Sequence, residues 1–519
     1  MIINQKPFMM KPSKSKNLSR RKFIGTVGTA TAAFTIVPRH VIAGSGQKAP
    51  SDLINVAGIG VGAQGAGDIS NICDPEVQVN RPQRTITGQP YSKAELARME
   101  AERAARMAQM QQQGGPPQAG RVPQQFPGGQ PQRKPRKLAN IYALCDVDSV
   151  YAGYVFARYP RAKVYSDWRE MLDKEPSIDA VLIATTDHNH APIAAAFMRQ
   201  KKHVFVEKPM AKTVYECRKL AELAKEYDIV SQMGNQGHAS EGTRRVVEWV
   251  RSGVIGNVRE VHMFTDRPIG FWPQGDIKRP AGVKVPKNLN WDVWLGPAPE
   301  KPYNPDICHF VWRGLWDYGT GAMGDMGAHI YDAPLWALNL EYPTKIQATS
   351  TPYNSEYLPL AQTVTYEFPE RFSPETGYMP PVKVKWCDGG LLPERPEKLE
   401  PGRRVGTVFY GDKGIMMGGS GAMPTLVPAD PDFKGPEPWL ERTGDIYEDW
   451  IGAIMNGKKS SNDFSWAAKV TEVMLLTNIA ILTQKSHTTL EYDGKNMKVT
   501  NLPEANNYFH YEYRKGWTL

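Results

Sequence analysis

Short apolar runs and longer amphipathic stretches alternate through residues 50–234 of this chain. Residues 53–59 are apolar and β-branched and end in glycines, which predicts a buried strand. The pattern continues with strands at 139–145, 180–184, 203–206 and 229–233, and with helices at 191–200 and 214–227. Strands alternating with helices predict βαβ units and a parallel, doubly wound sheet. From residue 258 the texture changes. Longer strands at 258–264, 344–350, 362–368, 382–386 and 406–410 alternate apolar with polar positions and predict an open, largely antiparallel sheet. Residues 446–456 and 466–482 carry helical periodicity. The fold class is α/β throughout, in two domains.

The second strand arrives late. Residues 75–137 form an insertion far beyond ordinary loop length. Its middle, 92–113, is helix-prone; 114–135 is rich in Gln, Pro and Gly and reads as a disordered, exposed decoration rather than a docking arm. The expected organisation is a leader at 1–43, a first domain at 50–234 carrying the insertion, a second at 235–495 and a tail at 496–519.

A length of 519 residues permits two or more cores. The net charge of +9 suggests nucleic acid until it is located. Residues 1–43 hold eight Lys or Arg and no Asp or Glu, which leaves 55 basic against 54 acidic residues in the rest. Residues 81–137 hold eleven more basic residues against three Glu, so the folded body is acidic and a nucleic-acid partner is excluded. The five cysteines (Cys73, Cys145, Cys217, Cys308, Cys387) are scattered and lack C-x-x-C spacing, so neither a disulfide framework nor a metal site is indicated.

Ser19-Arg20-Arg21-Lys22-Phe23-Ile24, the mildly apolar run 25–37 and the small residues near Val41-Ile42-Ala43 resemble a twin-arginine export signal, whose pathway carries folded proteins. The resemblance implies a periplasmic protein. The run is too short and too rich in Gly, Thr and Ala to span a bilayer comfortably, and no later run of about 18 apolar residues predicts a span in the mature chain. An uncleaved N-terminal anchor is the alternative.

Gly60-Val61-Gly62-Ala63-Gln64-Gly65 lies between a strand and a helix, the context that a G-x-G-x-x-G dinucleotide turn requires. Gly60 permits the tight turn, Gly62 lets backbone approach a pyrophosphate, and Gly65 allows close helix–strand packing, with Ala63 and Gln64 completing the cradle. Asp146, ending the second strand, is placed to accept the adenosine ribose hydroxyls and to repel a 2′-phosphate, so NAD is expected over NADP. Glu207-Lys208-Pro209 follows the strand 203–206 at the sheet edge where ligands sit, and Lys208 can donate to a substrate oxygen there. On a helix, Asp325 and His329 face the same way, so a carboxylate can orient an imidazole.

In this order, and with Ala184-Thr185-Thr186-Asp187-His188-Asn189-His190 between them, these pieces resemble the Gfo/Idh/MocA family over about 52–493. The resemblance implies a Rossmann NAD-binding domain plus an open-faced α/β domain whose sheet often forms the subunit interface, hence a homo-oligomer. Carried over by position, it implies that Lys208 assists at the reacting oxygen and that His329 is the acid/base with Asp325 as its neighbour. It also places Thr186, Asp187, His190 and Glu207 near the cofactor. Thr186 stands where the family usually has Pro. Gln236 and His238, and Arg313, Trp316 and Tyr318, resemble segments of exported, sugar-acting members; such groups suit a polyhydroxylated ring.

The expected activity is oxidation of a secondary hydroxyl of a sugar or glycoside by tightly held NAD, loaded before export because NADH released outside the cytoplasm meets no recycling pool. A redox-neutral NAD-dependent glycosidase, working by transient oxidation, elimination and hydration, is the alternative. A non-catalytic sugar-binding protein conflicts with the joint presence of Lys208, Asp325 and His329.

Overall fold

In the computed structural model, residues 53–85, 135–397 and 404–519 are described, with scattered positions between 91 and 101. The leader at 1–43 and most of the insertion lie outside the described residues. The apolar run after Ile54 forms β1 (Asn55–Ile59), buried at four of its five positions because helices cover both faces of a parallel sheet. It leads through the glycine turn into α1 (Gln64–Ile72). The insertion then intervenes before β2 (Asn140–Cys145), α2 (Gly153–Arg158), β3 (Lys163–Tyr165), α3 (Trp168–Lys174) and β4 (Ala180–Ile183). Helix α4 (Asp187–Arg199), β5 (His203–Val206), α5 (Val214–Glu226) and β6 (Ser231–Met233) complete the unit. The strand order is β3-β2-β1-β4-β5-β6, all parallel, and Gly58 stands opposite both Leu144 and Leu182. This doubly wound order reverses direction beside β1, so the glycine turn and the β4–α4 loop open a crevice there.

Helix α4 begins four residues before the expected start at 191. Pro192 reads as a first-turn proline, yet it sits one turn inside the helix. The extra turn, Asp187–His190, is the polar segment that reaches the crevice.

Beyond α6 (Glu241–Arg251) the chain builds a nine-stranded sheet that starts with β7 (Val258–Phe264). A short helix α7 (Trp291–Leu295), α8 (Gly321–Ile330) and α9 (Asp332–Ala337) precede β8 (Lys345–Ser350) and β9 (Gln362–Phe368). A small hairpin, β10 (Arg371–Ser373) with β11 (Gly377–Met379), leads to β12 (Val382–Cys387), β13 (Gly406–Gly411), β14 (Ile415–Gly419) and β15 (Ala422–Val427). After α10 (Ile446–Asn456) and α11 (Phe464–Thr483), β16 (Leu490–Asp493) and β17 (Lys498–Val499) close the far edge. The sheet is mostly antiparallel; β7 and β12 pair in parallel. Alternation along β8 buries Ile346 and Ala348 against helices and exposes Lys345, Gln347 and Thr349 on an open polar face.

Helix α6 is not among the expected elements, although Ser240 caps it and Val246, Val247 and Val250 mark its apolar face; its interior also holds charge. Glu248 is fully buried, yet it accepts from Arg245 (2.6 Å), Arg442 (2.6 Å) and the backbone N–H groups of Trp439 and Leu440. A buried charge paired this completely is tolerated in a core.

Leu53–Leu519 forms one compact unit, and its core crosses the expected boundary at residue 235. Helix α10, 200 residues downstream, carries Ile446, Tyr447, Trp450 and Ile451 into the same cluster as Val56, Leu182 and Phe205. Its start is fixed by a capping box, Asp445 with Glu448, and Asp445 also takes a forked ion pair from Arg136 (2.5 and 2.8 Å). Among the described residues one helix, Phe464–Ser486, is long and apolar enough to cross a membrane; it is largely buried between α5, α8 and the second sheet. All five cysteines are buried and unpaired.

Trp450 is fully buried with its ring edge-on to Phe205 (5.4 Å). Trp450→Ala is expected to cost about 3–5 kcal/mol, read as a lowered denaturation midpoint with an unchanged slope. A shift below about 1 kcal/mol would mean that α10 does not complete this core.

Candidate active site

The crevice is one continuous cavity of about 320 Å³ running from the glycine turn to the end of β5. At one end the turn is held by sterics. Gly60 has φ +77°, and a Cβ there would stand 2.7 Å from the Ala184 carbonyl oxygen. A Cβ on Gly65 would meet the Gly60 carbonyl at 2.5 Å, so this glycine lets α1 lie against β1. Helix α1 starts without a side-chain cap, which leaves its first N–H groups for an anion.

Asp146 closes this end from β2. Its carboxylate accepts from the N–H of Gly62 (2.8 Å) and of Asp148 (3.0 Å), fixing the turn against the neighbouring strand. Burial raises its pKa to about 6, against the lowering pull of those two bonds and of His309. Tyr151 lies over the turn and is stacked on His309 (4.0 Å between ring centroids), with the Arg84 guanidinium 4.3 Å from its ring centre. His309 pairs with Asp148 (3.2 Å). Arg81, Trp168 and His309 line the same end. Sequence reasoning missed this covering group because its members come from four separate segments and share no motif.

At the other end Lys208 projects from the end of β5. Its ammonium donates to both the backbone oxygen and the carboxylate of Asp325 on α8, each at 2.9 Å. Arg313 reaches the same carboxylate at 3.3 Å, its guanidinium resting on the rings of Phe310 and Trp312. Burial works against the Asp325 charge, but Lys208 and Arg313 outweigh it and hold the carboxyl well below its usual range. The expected Asp325–His329 orientation is therefore replaced: the carboxylate faces two cations. His329, one turn along α8, makes no hydrogen bond among the described residues. Burial and then the Lys208 charge depress its pKa to about 4.

The floor is made of buried acids. Asp187 accepts from the Thr320 hydroxyl (2.6 Å), and burial raises its pKa to about 7. Glu207 is raised by burial and by Asp68 nearby; it accepts from Gln236 (3.0 Å). Asp68, raised to about 7 chiefly by burial, accepts from Gln64 (2.9 Å) and Tyr447 (2.7 Å). Thr186 lines the cleft and its hydroxyl accepts from Asn189 (3.1 Å).

The cleft thus gathers Gly60, Gly62, Ala63, Gln64, Asp146, Thr186, Asp187, Glu207, Lys208, Arg313 and Asp325 of the expected residues. Others stand elsewhere. His190 lies beneath it, its ring nitrogens against the carbonyls of Pro209 (2.8 Å) and Thr185 (3.2 Å). Gln236 supports Glu207 from below rather than lining the cavity. His238, expected at the substrate, is a core residue: it bonds Asp332 (2.9 Å) and the Ser461 carbonyl (3.0 Å) and stacks on Trp336. Tyr318 is fully buried against Trp294 and His188, its hydroxyl taken by Arg279 (3.0 Å). Trp316 faces a different cavity. An aromatic or imidazole near a site motif does not reveal from sequence which side of the backbone it takes.

Residues 119–235 match a family model described as "Oxidoreductase family, NAD-binding Rossmann fold" (GFO_IDH_MocA), and 243–370 match "Oxidoreductase family, C-terminal alpha/beta domain". The first match begins inside the insertion, so β1 and the glycine turn take their place from strand pairing instead. The chain is 33% identical over 167 residues to levoglucosan dehydrogenase of Pseudarthrobacter phenanthrenivorans, covering 32% of this chain and 34% of that protein. It is 33% identical over 127 residues to glycosyl hydrolase family 109 protein 1 of a Shewanella species, strain ANA-3, covering 23% and 28%. The matches span about a third of each relative. The WlbA dehydrogenase from Bordetella pertussis, solved with NADH and UDP-GlcNAcA, shares the fold at TM-score 0.51 and 14% identity, over 85% of this chain and 99% of that one. With the parallel sheet, the glycine turn and two consecutive domain matches in agreement, the chain carries the two domains of the Gfo/Idh/MocA oxidoreductase family, its NAD-binding Rossmann domain and its C-terminal α/β domain.

Proposed function

We propose that the protein is an exported NAD-dependent oxidoreductase acting on a secondary hydroxyl of a sugar or glycoside. The observation that carries this reading is the single cleft joining the Gly60–Gly65 turn and Asp146 to Lys208, Asp325 and Arg313. The cleft residues would hold NAD, which would supply the hydride acceptor for the carbinol carbon. The glycine cradle and the uncapped start of α1 suit its pyrophosphate, and Asp146 suits its adenosine ribose. Lys208, fixed by two bonds to Asp325, donates to the substrate oxygen and stabilises the charge that grows there. His329, outside the residues that line the cleft but one helical turn from Asp325 and kept neutral by burial, is the candidate to receive the hydroxyl proton. Arg313 supplies a further donor for a neighbouring hydroxyl.

Three features support a cofactor that stays bound. The stacked Arg84–Tyr151–His309 group covers the adenosine end. The Arg20-Arg21 leader resembles a pathway that exports folded proteins, so NAD can travel inside the chain. Outside the cytoplasm a retained cofactor avoids the missing pool. The similarity to a protein named as a glycosyl hydrolase favours a second reading, a redox-neutral glycosidase in which the same residues would hold the sugar and handle its protons through elimination and hydration, the bound nicotinamide taking up the hydride and giving it back.

Natively exported protein, denatured and analysed by mass spectrometry, is expected to release about one NAD per chain. A sugar panel followed at the nicotinamide absorbance then separates the two readings: keto-sugar and standing NADH mark the dehydrogenase, and aglycone release without net NADH marks the glycosidase. Lys208→Met and His329→Ala are each expected to lower turnover by about 10²–10⁴-fold without changing NAD content. Full activity in both variants would remove the cleft from the chemistry.

Asp146 has its pKa raised, so it is charged above about pH 6 and protonated below. Ribose hydroxyls donate to the charged form, and NAD affinity is expected to fall as pH drops from 7 to 5. Titration of cofactor-free protein checks this. Asp146→Asn should bind more weakly at pH 7 and lose the step, while a step that persists in the variant would show that Asp146 is not its source.

The open polar face of the second sheet, with Lys345, Gln347 and Thr349 outward, is our proposed subunit contact. Light scattering on the mature protein should give a multiple of the chain mass, and Gln347→Arg with Thr349→Glu should reduce it to the monomer.

A further inference from the structure

The root of the insertion reaches the cofactor end of the cleft. The N–H groups of Glu76 and Val77 donate to the Arg158 carbonyl (3.0 and 3.1 Å), and Arg158 Nε donates back to the Val79 carbonyl (2.8 Å). Glu76 also pairs with Arg161 (2.9 Å). From this anchored base the chain brings two arginines forward. Arg81 lines the cleft. Arg84 donates to the Val150 carbonyl (3.0 Å) and lies over the Tyr151 ring. A segment that reads from sequence as an exposed decoration therefore helps to wall the cleft.

Tyr151 is held in two different ways. Its backbone is fixed, because Asp148 Oδ1 accepts from the N–H groups of Val150 (2.9 Å) and Tyr151 (2.8 Å) and from Asn288 (2.7 Å). Its side chain has no such bond. Among the described residues the phenol oxygen bonds nothing, and the ring is kept in place by Arg84 over one face (4.3 Å) and His309 stacked on the other (4.0 Å). A Cβ on Gly62 would stand 2.3 Å from Tyr151 Cδ1, so the bare glycine lets the ring sit flush on the turn. His309 comes from the second domain, from the same stretch as Arg313, and it lines the cleft together with Tyr151. Their stack joins the two walls across the adenosine end.

A fixed backbone with a ring held only by stacking can open by side-chain rotation, with no element unfolding. We propose that Arg84, Tyr151 and His309 form a clasp across the adenosine end of the cleft, that the insertion supplies its outer jaw through Arg84, and that opening of this clasp sets the rate at which NAD enters and leaves. The clasp rests on the reading of the cleft as an NAD site; it is independent of the substrate and of Lys208. Its contacts lie within the protein and are made whether or not NAD is bound. Weakening them therefore speeds entry and exit together and leaves the affinity nearly unchanged.

The test is stopped-flow binding of NADH to the full chain freed of its cofactor, followed by displacement of the bound NADH with excess NAD. Arg84→Ala removes one stacking face and one hydrogen bond, and is expected to raise the association and dissociation rates each roughly tenfold. The equilibrium Kd should move by less than about threefold. Tyr151→Leu, which keeps an apolar side chain but loses both stacks, should raise both rates at least as much and serves if Arg84→Ala folds poorly by circular dichroism. Rates equal to the parent's in both variants would overturn the clasp. So would a faster dissociation alone with a matching loss of affinity, which would make Arg84 a direct contact of the adenosine. A parent chain that binds no NADH would instead remove the NAD reading of the cleft, and the clasp with it.

Discussion

The charge state of the cleft depends on one ammonium. Lys208 pulls the carboxyls of Asp68, Asp187, Glu207 and Asp325 toward ionisation and pushes the imidazoles of His190 and His329 toward neutrality. Burial raises the first three acids regardless, because no cation bonds them directly. Asp325 alone is driven the other way, by two cations in contact. The result is an anion held beside a cation, with a neutral imidazole one turn away and, beneath, acids whose pKa values burial raises. That pattern divides roles among groups that would titrate together in water.

The same pair is a mechanical constraint. Lys208 ends a strand of the parallel sheet and Asp325 belongs to a helix of the second domain, so the bond ties the two halves at the reacting end of the cleft. Helix α10 ties them at the back, through Trp450 and Tyr447. Tyr447 does both jobs: its ring stacks on Phe205 and its hydroxyl donates to Asp68 Oδ1 beneath the glycine turn. Packing and electrostatics are thus coupled where the cofactor turn meets the core.

Much was legible because it is local. The strands at 203–206, 258–264 and 362–368 and the helix at 446–456 follow from periodicity and end signals, and their bounds agree residue for residue. The glycine turn and Asp146 could be paired across the insertion because both are strand-end features. The burial of Glu248 on helix α6 was not legible, because it looks like a surface residue until Arg442, far along the chain, pairs with it. That α10 belongs to the first core was not legible for the same reason: it returns there from beyond the second sheet.

For the site, strand-end position placed the glycines, Asp146 and Lys208 at one edge of a doubly wound sheet, and only the family resemblance joined Asp325 to them. Which groups Asp325 faces, and that His238 and Tyr318 are interior while Trp316 opens on another cavity, were decided by the tertiary structure alone. The physical reason is that element-level pattern encodes only periodicity and turn chemistry. Burial, ion pairing and the side of a backbone from which a ring projects arise from segments that meet only after folding.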